Sequence, residues 1–256
     1  MRKIALPALA LFAITACTSP ANQSEENNKP VDKAQEVVDQ SIGYHGLHVL
    51  DNAEFSMSFR GIDYTYKNEK GRYEYTRTQT DSTGAKVVDI LNNMGFGRYI
   101  DDVEATLTEE RTGAYTRSVN SVIYFFRLPF GLNDEAVNKV YMGEATIKGK
   151  TYHEIKVTFE QEGGGEDFDD VFLYWFDTED YSMDYLAYLY HTDGGGMRFR
   201  EAVNQRTVDG VLVQDYINMR PEDEDIDIMT IDELYNAGEL RVLSEIINEN
   251  IQIKAY

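Results

Sequence analysis

Positively charged side chains follow one predicted strand of an otherwise acidic protein. Arg198, Arg200, Asn204 and Arg206 are separated by even steps, so in an unbroken strand they point to the same face. Arginine presents a planar fork of donors that fits a carboxylate or phosphate group. The spacing therefore predicts an anion site, or an enzyme acting on a small anionic or glycan substrate through His191 and these arginines. The alternative interpretation is that the arginines pair with neighbouring Asp and Glu side chains.

Other residue types that often catalyse reactions or bind metals do not form a known motif. The histidines are His45, His48, His153 and His191. They show no His-x-x-x-His or His-Glu-x-x-His spacing, so no zinc site is predicted. There is no Gly-x-Ser-x-Gly segment. The carboxylates of loop 160–170 lack the Asp-x-Asp-x-Asp-Gly pattern of a calcium loop, which favours a solvated acidic loop. We therefore predict no metal and no cofactor.

The N-terminus has the layout of an export signal. Arg2 and Lys3 precede an apolar run over 4–14, which is too short to span a bilayer. The run ends in Ile14-Thr15-Ala16-Cys17, which resembles the lipobox of bacterial lipoproteins. That resemblance implies cleavage before Cys17 and attachment of lipid to its thiol. The alternative is an ordinary signal peptide with a chance cysteine, but Cys17 is the only cysteine of the chain.

Charge and composition narrow the partners and the location. The net charge is −21, and cleavage removes the positive charges of Arg2 and Lys3, which takes it to −23. Such a field repels phosphate backbones, so nucleic acid is not a predicted partner. The predicted membrane attachment is lipid on Cys17, followed by a tether. By resemblance to diderm lipoproteins, the lack of Asp after Cys17 favours the outer membrane, and the lack of a compact acidic export tag beside Cys17 favours its periplasmic face.

Beyond the tether, the sequence predicts one globular β-rich domain. The predicted segments are a signal peptide over 1–16, the lipidated cysteine and tether over 17–30, and the folded domain over 31–256. Alternation of Phe55, Met57 and Phe59 with polar residues indicates a half-buried strand. A change of phase at Gly61 suggests a bulge or bend, and further short strands with Gly- and Asp-rich turns indicate an antiparallel meander. The predicted fold class is α+β, a curved sheet or half-barrel with helices on its concave side.

Two helices are predicted to pack on this sheet. The first covers about 30–42 and stops at Gly43. The second covers 112–126, and one of its faces is apolar. The residues on that face are Tyr115, Val119, Val122, Ile123 and Phe126. An aromatic-lined curved sheet under this helix could hold an apolar ligand, such as an acyl chain, or it could be a plain core.

Four stretches carry a resemblance to a known family. They are Asn120-Ser-Val-Ile-Tyr-Phe-Phe-Arg-Leu-Pro-Phe-Gly-Leu-Asn-Asp-Glu-Ala-Val137, Asp170-Val-Phe-Leu-Tyr-Trp175, Asp184-Tyr-Leu-Ala-Tyr188 and Gly195-Gly-Met-Arg-Phe-Arg-Glu-Ala-Val-Asn204. Together they resemble an uncharacterised family of Bacteroidota lipoproteins without an assigned activity. The order of helix, meander and packed helix is also similar to the half-barrel of lipoprotein carriers such as LolA, although a fold does not by itself give a function.

Two classes of function follow from the sequence. The first is a non-catalytic binding or carrier lipoprotein for an apolar or amphipathic ligand, a small molecule or another lipoprotein. It is favoured because catalytic motifs are absent. The second is the periplasmic enzyme that uses His191.

Overall fold

Two antiparallel sheets make up most of the described chain. A computed structural model describes residues 32–162, 168–223 and 225–256, which belong to one compact unit, Asp32–Tyr256. Its strands are β1 Asn52–Phe59, β2 Ile62–Glu69, β3 Arg72–Thr80, β4 Lys86–Asn92, β5 Gly95–Ile100, β6 Val103–Glu104, β7 Val137–Ile147, β8 Lys150–Phe159, β9 Val171–Asp177, β10 Met183–Tyr190, β11 Gly196–Val208, β12 Val211–Pro221, β13 Leu240–Ile246 and β14 Glu249–Ala255. The first sheet has the order β14-β1-β2-β3-β4-β5-β6, and the second has the order β13-β12-β11-β10-β9-β8-β7. The predicted β-rich α+β antiparallel fold is confirmed.

The described residues also form three α-helices, which are α1 Lys33–Tyr44, α2 Glu109–Phe126 and α3 Ile231–Ala237. Thr108 caps α2 by accepting a hydrogen bond from the backbone N–H of Arg111 at 3.4 Å, so this helix begins three residues before the predicted Thr112. It ends at Phe126, as predicted. None of these helices combines the length and apolarity needed to cross a bilayer.

The predicted stop of α1 at Gly43 is wrong. The helix continues to Tyr44 and is capped by His45, and the chain reverses only at Gly46, whose φ is +70°. A Cβ on Gly46 would lie 2.5 Å from the carbonyl oxygen of Gly210, so this position needs glycine for space as well as for conformation. Gly43 has ordinary helical surroundings, and tertiary packing around Ile42 outweighs its low helix propensity.

The predicted bulge at Gly61 is a hairpin turn. Arg60 and Gly61 have φ values of +53° and +74°, and Phe59 pairs directly with Ile62. Two residues with positive φ form the tight turn that matches the twist of antiparallel strands. The hydrophobic pattern changes phase here because the chain reverses direction, so that β1 and β2 are adjacent strands.

The second sheet is buried on both faces. On one face, Phe172, Tyr174 and Phe176 of β9 join a core that includes residues of the first sheet, α1 and α2. On the other face, Leu173 and Trp175 of the same strand join a core closed by α3. The continuous apolar run of β9 thus has a partner on each side. Helices α1 and α2 contribute to the core that the two sheets share, whereas α3 covers the opposite face of the second sheet.

Candidate functional site

A cavity of about 950 Å³ lies where α2 faces the second sheet. This volume is at the upper end of the range of about 300–1,000 Å³ that is usual for small-molecule sites. The lining combines residues of α2 and of strands β8 to β13 with the turn between β1 and β2. The arrangement is a cleft between one helix and one sheet rather than a gap within a sheet.

The apolar part of the lining is mainly aromatic. The ring of Phe125 lies 5.2 Å from that of Tyr188 and 6.4 Å from that of Phe172, measured between centroids. Tyr124 and Tyr174 share a hydrogen bond of 2.7 Å between their hydroxyl groups, so their polar ends are satisfied inside the core. Burial raises the pKa of both tyrosines, and they stay protonated at neutral pH. The aromatic part of the wall therefore carries no charge at neutral pH.

The five residues on the predicted apolar face of α2 separate into two groups, and Ile123 belongs to the buried one. Val122 and Phe126 line the cavity and are half-buried. Val119 is completely buried in the core, and the ring of Tyr115 lies 3.4 Å from the guanidinium carbon of Arg98 on the first sheet. The apolar face of the helix is thus partly core and partly cavity wall, because α2 touches both sheets.

The four predicted polar residues of β11 also separate. Arg198 and Arg200 line the cavity. Asn204 has a φ of +52°, and the register of β11 with β12 shifts between Val203 and Arg206, which marks a bulge. The even spacing therefore does not continue along one face, and the predicted array of four is interrupted.

Asp215 of β12 binds the two remaining side chains, those of Asn204 and Arg206. The Asn204 amide donates to its carboxylate at 3.2 Å, and the Arg206 guanidinium forms an ion pair with it at 3.1 Å. For this part of the strand, the interpretation that the arginines pair with nearby acids is the one the geometry supports.

Arg200 is deeply buried in the cavity wall, with 8% of its surface exposed. Its guanidinium carbon lies 3.8 Å from the centre of the Phe125 ring, and its Nη2 donates to the Tyr188 hydroxyl at 2.9 Å. Arg198 donates from Nη2 to the Tyr190 hydroxyl at 2.7 Å. Its Nη1 donates to the backbone carbonyl oxygen of the preceding residue, Met197, also at 2.7 Å. Arg198 and Arg200 are two positions apart on β11, so both guanidinium groups lie on the same aromatic wall of the cavity.

The lining is cationic although the protein is acidic. Among the described residues that line the cavity, four are arginines and two are carboxylates. The arginines are Arg60, Arg117, Arg198 and Arg200, and the carboxylates are Glu109 and Asp170. This excess of two positive charges contrasts with the net charge of −21 of the whole chain. The cavity is thus electrostatically distinct from the rest of the molecule.

His191 does not lie in the lining. It is an exposed residue, and its backbone N–H donates to the Asp170 carboxylate at 3.2 Å. In the described parts of the chain, no group of three or more His, Cys, Asp or Glu side chains is arranged to hold a metal. Glu166 and Asp167 of the acidic loop, like Cys17, lie outside the described residues.

Sequence reasoning missed Phe125, Tyr188 and Tyr190 as wall residues. A signal for the two tyrosines was present, because Tyr188 and Tyr190 have the same even spacing as Arg198 and Arg200. The register confirms this relation, with Tyr188 opposite Arg198 in the β10–β11 pair. The Gly-rich segment before β11 was predicted as a turn, and pairing the two strands that it joins brings these four side chains to one face.

The structure defines a β-rich α+β domain with two antiparallel sheets and a cleft between a helix and one of them. The chain belongs to a family of unknown function, DUF6503, whose profile matches residues 11–248. No curated protein matches the sequence significantly.

Among solved structures, the backbone is similar to that of a LolA superfamily protein from Nitrosomonas europaea. The identity is 10%, with 86% of this chain and 92% of that chain covered and a TM-score of 0.45. A DUF1329 family protein from Desulfovibrio piger is similar at 11% identity, with coverages of 86% and 93% and a TM-score of 0.43.

Proposed function

We propose that this protein is a membrane-anchored extracytoplasmic lipoprotein whose folded domain, residues 31–256, binds an apolar or amphipathic ligand without catalysing a reaction. The observation that carries the proposal is the cavity of about 950 Å³ between α2 and the second sheet. Aromatic side chains make up much of its wall, and a few polar groups converge on it, as is usual for sites that bind small molecules.

The anchor is the lipid predicted on Cys17. The lipobox-like residues and the short apolar run before them support this attachment, and the tether over 17–30 lets the domain stand off the bilayer. A domain of such negative charge gains nothing from anionic headgroups, so stable attachment rests on acyl chains. We place the protein at the outer membrane, on the periplasmic side.

Binding is favoured over catalysis by where the candidate groups lie. His191 is exposed and outside the lining, and Arg206 is paired with Asp215. The two predicted arginines that do face the cavity, Arg198 and Arg200, lie against the aromatic rings of its wall. This is the environment of a binding pocket.

Thermal melts with 1-dodecanol test the binding proposal. A ligand that binds only the folded state stabilises it by about 2.7 kcal/mol at a concentration a hundred times its Kd. For a domain of this size, that gain corresponds to a rise in Tm of roughly 5–10 °C. We expect a rise of this order for the wild-type protein.

Two matched substitutions locate the site. Ser121 lines the cavity from α2 and is exposed, so Ser121→Trp should fill part of the cavity and remove the Tm shift. Ser82 is exposed in a turn on the first sheet, and Ser82→Trp should leave the shift unchanged. Absence of any shift in the wild-type protein, or an equal shift in both variants, would contradict binding in this cavity.

A further inference from the structure

We infer that the cavity takes an anionic amphiphile, a molecule with a carboxylate or phosphate head and an apolar tail, and that Arg200 binds the head. The inference rests on the proposed function, because it assumes that the cavity binds a ligand. It adds the chemical class of that ligand and the residue that selects it.

The first argument is the hydrogen bonding of Arg200. Within the described residues, its side chain makes one hydrogen bond, from Nη2 to the Tyr188 hydroxyl at 2.9 Å. Its Nε is buried and has no hydrogen-bond partner among the residues that the structure describes. A buried donor without a partner costs free energy, and a buried charge costs more. An anion in the cavity would pair with the buried charge and so relieve the larger of these costs.

The second argument is the contrast with other arginines of the same chain, which are buried or partly buried. Each of four has a carboxylate partner: Arg77 and Arg98 share Asp89, Arg127 pairs with Asp134, and Arg206 pairs with Asp215. Arg200 forms no ion pair with any described carboxylate, although the chain contains 45 Asp and Glu residues. The missing partner at this position is therefore the one a ligand would supply.

The third argument is orientation. Phe125 lies against the flat face of the Arg200 guanidinium, at 3.8 Å. Stacking on an aromatic ring fixes the plane of the guanidinium and leaves its N–H edge for other partners. That edge is the part of arginine that binds carboxylate and phosphate in a bidentate manner.

Two hydroxyl groups can add to the same head site. Tyr188 accepts from Arg200, and Tyr216 accepts from the Gln214 amide at 2.8 Å, so each hydroxyl proton remains to be donated. Both tyrosines line the cavity. Burial raises the pKa of Tyr216 to about 12, so at neutral pH it is a donor and not an anion. Neutral donors next to a guanidinium suit a negatively charged group.

The surroundings also indicate where the tail lies. Phe126, Phe159 and Phe172 line the same cavity and offer apolar contact. The carboxylate of Asp170 also belongs to the lining and accepts from the backbone N–H of His191 at 3.2 Å. An anionic head is repelled by Asp170 and attracted by Arg200, so it should sit against Arg200 with its tail along the phenylalanines.

Calorimetric titration with four probes tests the inference. The probes are dodecanoate, dodecyl phosphate, 1-dodecanol and inorganic phosphate. We expect both charged amphiphiles to bind the wild-type protein at least about tenfold more tightly than 1-dodecanol, the gain typical of a charge-assisted hydrogen bond. Inorganic phosphate alone should bind far more weakly than dodecyl phosphate, because it lacks the apolar tail.

Variants of Arg200 test whether its side chain causes the tighter binding of the charged amphiphiles. Arg200→Gln should remove the advantage of the charged probes and leave the affinity for 1-dodecanol within about threefold, which also shows that the cavity is intact. Arg200→Lys keeps the charge and should restore part of the advantage. Arg72 is highly exposed at the start of β3 in the first sheet, so Arg72→Gln should change neither affinity.

Three outcomes would overturn the inference. If 1-dodecanol binds as tightly as dodecanoate, or Arg200→Gln weakens all probes equally, the cavity binds ligand but has no anionic head site. If inorganic phosphate binds as tightly as dodecyl phosphate, the site takes a small anion and not an amphiphile. If no probe with a tail binds, the proposed function fails together with the inference.

Discussion

At the scale of single residues, Glu154 is the acid whose environment most changes its chemistry. It lies on β8 opposite Trp175 of β9, on the face that α3 covers. Burial raises its pKa from 4.5 to about 7, and the nearby Asp232 adds to the effect. Its Oε1 and the Trp175 Nε1 are both buried without a hydrogen-bond partner among the described residues. Glu154 is therefore destabilising when it is ionised.

This environment predicts a dependence of stability on pH. The folded state keeps the Glu154 proton up to about pH 7, whereas the unfolded state releases it near 4.5, so the free energy of unfolding falls as the pH rises through this window. Glu154→Gln removes that fall. In urea titrations at pH 5 and pH 8, the wild-type protein should lose roughly 1–3 kcal/mol more than the variant between the two pH values.

The exposed Glu179 provides the control for this experiment. Glu179→Gln should reproduce the wild-type pH dependence, because this side chain is in contact with solvent. Equal losses for the wild-type protein and Glu154→Gln would show that Glu154 titrates normally in the folded state.

At the scale of elements, α2 has two different contacts along its length. Its first half rests on a polar cluster of the first sheet, where Arg77 Nη1 donates to the Ser118 hydroxyl at 2.6 Å and Arg98 stacks on Tyr115. Ile123, further along, is completely buried. Phe126, at the end, is half-buried against Phe55, with ring centroids 4.5 Å apart, and lines the cavity. Its residues in the first half and Ile123 hold the helix against its neighbours, whereas Phe126 at its end forms part of the cavity wall.

Two truncations of α2 should therefore differ in effect. Ile123→Ala should lower the free energy of unfolding by about 2–5 kcal/mol, as for a buried aliphatic residue. Phe126→Ala should cost less than the roughly 3–5 kcal/mol of a fully buried phenylalanine, and it should change the Tm shift produced by 1-dodecanol. Urea titrations and melts measure both effects. A full-sized loss for Phe126→Ala with an unchanged shift would mean that this end of the helix is plain core.

At the scale of the whole molecule, the acidic domain and its attachment have to be considered together. The proposed cleavage before Cys17 would leave a net charge of −23, which repels anionic lipid surfaces, so location should depend on Cys17 alone. Cys17→Ser should move the protein from the detergent phase to the aqueous phase, or leave the signal peptide uncut. Ser24→Ala, within the tether, should partition as the wild-type protein does. Unchanged partitioning of Cys17→Ser would refute the lipid anchor.

Much of the fold could be predicted because its signals are local. Alternation of side chains identified β1, and periodicity of apolar residues identified α2 to its last residue. These patterns depend on the geometry of a single strand, turn or helix, so a short stretch of sequence contains them completely. Arg60, in the turn between β1 and β2, has a positive φ, which is uncommon for a residue other than glycine. The sequence therefore did not indicate a hairpin at this position.

Acidity, strand-rich architecture and the surfaces that need burial were thus determined by the sequence itself, whereas export remains a prediction from the N-terminal pattern. Only the tertiary structure decided which surfaces meet. The bulge at Asn204 divides the four polar residues of β11, and the position of α2 leaves a cavity beside Phe126 while it closes the core around Val119. Both results depend on contacts between residues far apart in the chain, on strand register and on the distance between a helix and a sheet. Periodicity fixes the face on which a side chain lies, but it does not fix what lies opposite that face.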